Sequence, residues 1–165
     1  MDGRDRLVVG CVLLAMMAAC GSGSDGGGSP LEAQIQGTWS SSCQAATASS
    51  ERLVYTFSGL SFSRIRKTYA NVTCTEPGTV LSTDAGAFVV GAPVVASLGG
   101  APVVAYPIDA TLVGFPGSTA YDLAYVDTNV TPNRWFHGDG GGGNTGNTPA
   151  TRPASLDGTS YWVKQ

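Results

Sequence analysis

Between Gly37 and Gln165 the chain meets Gly, Pro, Asn or Asp roughly every ten to fifteen residues, and apolar and polar side chains alternate between these breaks. A period of two puts successive side chains on opposite faces of a strand, whereas a helix needs apolar residues three and four apart over a longer run. No segment sustains that helical period. The expected fold is therefore all-β and antiparallel. Gly37-Thr38-Trp39-Ser40 opens it as a short strand. Glu51 to Phe57 sets Leu53, Tyr55 and Phe57 against Arg52, Val54 and Thr56. After a turn at Ser58-Gly59, Leu60 to Tyr69 returns as a second strand. In it Leu60 and Phe62 line one side and Ile65 and Tyr69 the other, a change of face that predicts a bulge or twist near Arg64.

Thr79 to Ser82 and Ala87 to Val90 read as a further hairpin around Asp84-Ala85-Gly86. From Ala85 to Ile108 no residue is charged, and GAPVVA occurs at Gly91 to Ala96 and again at Gly100 to Ala105. The stretch is long enough for a membrane helix, but Pro93, Pro102, Pro107 and the glycines between them would interrupt the helical ladder. It reads instead as two apolar arms turning at Ser97-Leu98-Gly99, core-facing or forming an exposed flap. Further strands are expected at Ala105 to Val113, Ala120 to Val126, Arg134 to His137 and Ser160 to Lys164. Eight or so strands in one domain fit a closed up-and-down barrel, which leaves no free edge, with a two-sheet sandwich as the alternative.

Residues 1–19 have a different character. Arg4 and Arg6 precede the uncharged run Leu7 to Ala19, which is shorter than the roughly twenty residues a bilayer requires. Met17-Ala18-Ala19-Cys20 resembles the lipobox of bacterial lipoproteins, and the resemblance implies removal of residues 1–19 and acylation of the Cys20 thiol. Residues 20–30 then form a lipidated Cys and a flexible Gly/Ser tether, and residues 31–165 form the folded domain. The implied place is the bacterial cell envelope, membrane-bound through the lipid. Gly21 after the cysteine favours the outer membrane by enteric sorting rules.

Of the nine Lys/Arg and twelve Asp/Glu in the whole chain, seven and ten remain once Arg4, Arg6, Asp2 and Asp5 leave with the leader. A mildly acidic domain with no basic stripe does not suit nucleic acid as a partner. Cys11 leaves with the leader as well and Cys20 is committed to lipid, so Cys43 and Cys74 are expected to bridge in an oxidising compartment.

Gly37-Thr38-Trp39 resembles the G-x-W of lipocalins and related calycins, in which the Trp packs across the closed end of an eight-stranded barrel. The stretches YDLAYVD, WFHGD and RPASLDGTSYWVKQ also look like the closing part of small bacterial lipoproteins that begin with GTW and a cysteine. The resemblance covers residues 31–165 and implies a lipocalin-like barrel with Gly37 and Trp39 as its barrel-closing motif. It also implies an apolar small ligand in the barrel mouth, with Tyr55, Phe57, Phe62 and Trp135 as lining, and a cation over the Trp, for which Arg152 and Lys164 are the candidates.

Chemistry finds little to build on. His137 is the only histidine; with Asp139 it could form an acid/base pair, but no nucleophile elbow accompanies it. No metal site is expected from one His and a bridged Cys pair, and the run from Gly138 to Asn147 reads as a flexible loop. Asp109, in an apolar strand, is expected to face outward on a half-buried strand; a buried carboxylate there would need Arg64, Arg66 or Arg134 as partner across the barrel. The expected function is thus non-enzymatic and cofactor-free: binding of a small apolar ligand. The alternative is a structural or inhibitor-like module that contacts an envelope protein through open-end loops at Gly91 to Gly100 and Gly138 to Asn147.

Overall fold

The computed structural model describes residues 28–114 and 117–165. The expected leader 1–19, the lipidation site Cys20 and most of the tether lie outside the described residues. In chain order the elements are helix α1 (Pro30–Gln34) and strands β1 (Gly37–Ser41), β2 (Gln44–Ala45), β3 (Ser50–Ser58), β4 (Ser61–Tyr69), β5 (Thr79–Val90), β6 (Val94–Leu98), β7 (Ala101–Leu112), β8 (Thr119–Asp127), β9 (Arg134–His137), β10 (Ser155–Leu156) and β11 (Trp162–Lys164). Strands β1, β3, β4, β5, β7, β8, β9 and β11 each pair antiparallel with the next, and β11 pairs with β1 to close the ring. The chain is an all-β, closed, eight-stranded up-and-down barrel, and the sandwich alternative falls away.

The β3–β4 hairpin turns on Gly59-Leu60, with Gly59 at φ +58°. Its ladder runs unbroken through Arg64, and the one register shift between β4 and β5 falls between Arg66 and Lys67. The expected irregularity thus lies just beyond Arg64, and the change of face is accentuated because the inward position there holds a charge, Arg64, and the outward one holds Ile65. Asp84-Ala85-Gly86 does not turn. It lies in the middle of one continuous β5, where Asp84 opposes Arg64 and Gly86 opposes Phe62. A side chain at Gly86 would collide with the Phe62 ring and the Thr111 carbonyl, so the glycine allows a close approach rather than a bend.

The two GAPVVA arms form the ribbon β6–β7, turning at Gly99-Gly100, both with positive φ. One face of the ribbon covers a second small core of Ala96, Ala105, Leu123, Phe136 and Leu156 outside the barrel. Val95 and Val104 on the other face are 77% and 55% exposed. The ribbon leaves β5 at one end of the barrel and the loop after His137 leaves at the other, so the two expected open-end loops do not share an end.

Helix α1 starts at Pro30, inside the stretch expected to be tether. Ser29 Oγ accepts from the Glu32 amide at 3.3 Å and Pro30 occupies the first turn. Five residues are too few to leave a periodic signature in the sequence. The helix plugs one end of the barrel, where Leu31, Ile35 and Trp39 are fully buried and Trp39 Nε1 donates to the Ile35 carbonyl at 2.6 Å. The Gln36 amide donates to the Gly59 carbonyl and its Oε1 accepts from the Gly59 N–H, clamping the helix to the β3–β4 turn. At the far end the Cys43–Cys74 disulfide joins the β1–β2 connection to the β4–β5 loop, with the Cα atoms 5.7 Å apart.

Candidate functional site

Pairing in register brings inward-facing residues of neighbouring strands level with one another. Tyr55 on β3 meets Arg64 on β4, Phe57 meets Phe62, and Ile108 on β7 meets Asp122 on β8. With Phe88, Ala110, Ala120 and Trp135 they line a partly open cavity of about 170 Å³ within the barrel. All four residues expected as lining, Tyr55, Phe57, Phe62 and Trp135, border this one space. Trp39 does not; it sits beneath α1 with Lys164 Nζ 5.4 Å from its ring centroid. Lys164 is thus the cation over the Trp. Arg152 lies on the outer wall, over Tyr121.

The aromatic rings account for most of the interior. Tyr55 stacks on Phe57 with centroids 5.9 Å apart, Trp135 meets both edge-on at 5.4 and 5.3 Å, and Trp162 packs on Trp135 at 4.6 Å. An engineered apolar cavity of about 150 Å³ holds benzene, whereas drug-sized ligands need roughly 300–1,000 Å³. The space left here suits a compact guest and excludes a long acyl chain.

Its polar edge was not legible in the sequence. Arg64 donates from Nε and Nη2 to Asp84 Oδ2 at 3.0 and 2.6 Å. Burial pushes the Tyr55 hydroxyl above its usual range, and the Arg64 guanidinium beside it works in the opposite direction. Asp122 Oδ1 accepts from the Leu123 and Gly138 amides at 2.7 and 2.9 Å. Burial nevertheless holds its carboxyl above the ordinary carboxylate range, against the pull of those amides, His137 and Arg152. Trp135 is 7% exposed and its Nε1 has no partner among the described residues. Asp122 and Ala120 also border a second space of about 250 Å³ beneath the Gly138–Asn147 loop, together with His137, Asn144 and Thr145. A side chain at Gly138 would strike Pro153 and Asp122 Oδ1, so this glycine keeps β9 close to the carboxylate.

Strand parity was the available signal for Asp122. It interrupts the small or apolar inward series Ala120, Ala124, Val126 on β8. Asp109 faces outward, and its partner is none of the three arginines expected: Arg152 Nη2 donates to it at 2.5 Å, while Nη1 donates to the Ile108 and Asp122 carbonyls. The chain following the glycine loop folds back over β7 and β8 and brings Arg152 there. The carboxylate facing His137 is Asp157, at 4.0 Å, whereas Asp139 Oδ1 accepts from the Gly141 amide.

Comparison of the chain with protein-family models, with curated proteins and with solved structures returns no match.

Proposed function

We propose that this chain is a lipocalin-like envelope lipoprotein, held at the bacterial outer membrane through acylated Cys20, whose barrel binds a compact small molecule without chemical conversion. The observation carrying the reading is the interior cavity of about 170 Å³, walled by five aromatic rings and edged by Asp122 and Arg64. It has the composition of small-molecule sites, an apolar lining with a few converging polar groups, at the lower end of their size. The lipobox resemblance and the Gly/Ser stretch before α1 support the anchor. The Cys43–Cys74 bridge agrees with an exported protein.

Filling of the closed end by Trp39, Phe57 and Phe62 favours one rival, an interaction module with a solid interior. Native and denaturing mass spectrometry of the full chain purified from its own host separates the two. The expected result is acyl mass retained under denaturing conditions, plus a small non-covalent adduct that leaves on unfolding. Absence of acyl mass at Cys20 would contradict the anchor, and consistent absence of any adduct would favour the module.

A further inference from the structure

The charges around the cavity do not balance. Arg64 is neutralised by Asp84, with Nη2 2.6 Å from its carboxylate. Asp122 takes part in none of the ion pairs among the described residues. The two basic side chains near it face other carboxylates: Arg152 is paired with Asp109, and His137 lies 4.0 Å from Asp157. Asp122, which accepts from the Leu123 and Gly138 amides, therefore borders the apolar space with no ion-pair partner among the described residues.

What shares the cavity with that carboxylate decides the guest. Tyr55, Phe57, Phe62, Phe88 and Trp135 line it, and aromatic faces carry negative potential that attracts cations, most strongly when water is excluded. An anion would be repelled by Asp122 and by the rings, and Arg64, which also borders the space, is already paired with Asp84. A neutral guest would strip water from Asp122 and give no charge in return.

Building on the compact-ligand reading above, we infer that the barrel takes a small alkylammonium compound, with Asp122 as counter-charge and the aromatic rings as its cage. A guest little larger than the benzene that fills a cavity of about 150 Å³ matches the space.

Choline is the probe, and its uncharged carbon isostere dimethylbutanol is the control. Both are titrated by calorimetry into the full chain and into Asp122→Asn, which keeps an Oδ1 to accept from Leu123 and Gly138. The expected result is that choline binds more tightly than the isostere, and that Asp122→Asn weakens choline by at least about tenfold while leaving the isostere unchanged. If the isostere binds as well as choline, or Asp122→Asn leaves choline unaffected, the cation assignment is overturned while the compact-ligand reading stands. If neither compound binds, that reading fails and the inference with it. Should Asp122→Asn not fold, the choline-to-isostere ratio of the parent chain decides alone.

Discussion

Truncating Trp39 to alanine is expected to cost the domain about 3–5 kcal/mol, a large part of the roughly 5–15 kcal/mol that holds a domain of this size together. Trp39 is fully buried, its Nε1 bonds the Ile35 carbonyl, its ring meets Trp135 edge-on at 6.4 Å and Lys164 lies over it. Removal opens a void at the plugged end and orphans the carbonyl that fastens α1. It also weakens the β1–β11 seam, since Trp39 pairs directly with Lys164. Trp39→Phe retains much of the ring but loses the hydrogen bond and is expected to cost less. Guanidinium titration followed by tryptophan fluorescence checks both variants. A loss below about 1 kcal/mol for Trp39→Ala would mean that this end is not sealed as described.

The Cys43→Ser, Cys74→Ser double variant is expected to lose about 3–4 kcal/mol, because the bridge spans 31 residues and restricts the unfolded chain by that loop. The local tie is not all lost. Ser50, fully buried, accepts from the Cys74 amide at 3.1 Å and donates to the Asn71 carbonyl at 2.6 Å, so the β4–β5 loop is tied to β3 even without sulfur. The variant should therefore still fold, with a lower denaturation midpoint that reductant no longer shifts, while reductant moves the parent down by a similar amount. Equal midpoints for parent and variant under non-reducing conditions would contradict the bridge.

The barrel was legible because β strands announce themselves by alternation and because GTW placed the first strand. The rest was hidden wherever a residue served a tertiary purpose that overrode its local meaning. Asp84-Ala85-Gly86 has turn chemistry, yet the aspartate partners Arg64 across β4 and the glycine makes room for Phe62. Helix α1 is too short to show a period and is held by the plug it forms with Trp39. Tyr55, Phe57, Phe62 and Trp135 were legible as lining because the lipocalin resemblance implies an apolar barrel mouth, and all four border the cavity. Asp122 was not. Parity on β8 sets it inward, but its lack of an ion-pair partner depends on Arg152 being drawn to Asp109 by a loop distant in sequence.

The account rests on a small, largely apolar space in the barrel, bounded by Trp135 and apart from Trp39. Amide and indole NMR of the full chain during titration with benzene tests it most directly. The Trp135 Nε1–H resonance should shift and saturate, while that of Trp39, bonded to Ile35 and sealed beneath α1, should stay in place. If no indole signal moves, or if the shifts fall on the exposed Val95 and Val104 ribbon instead, the interior holds no guest site.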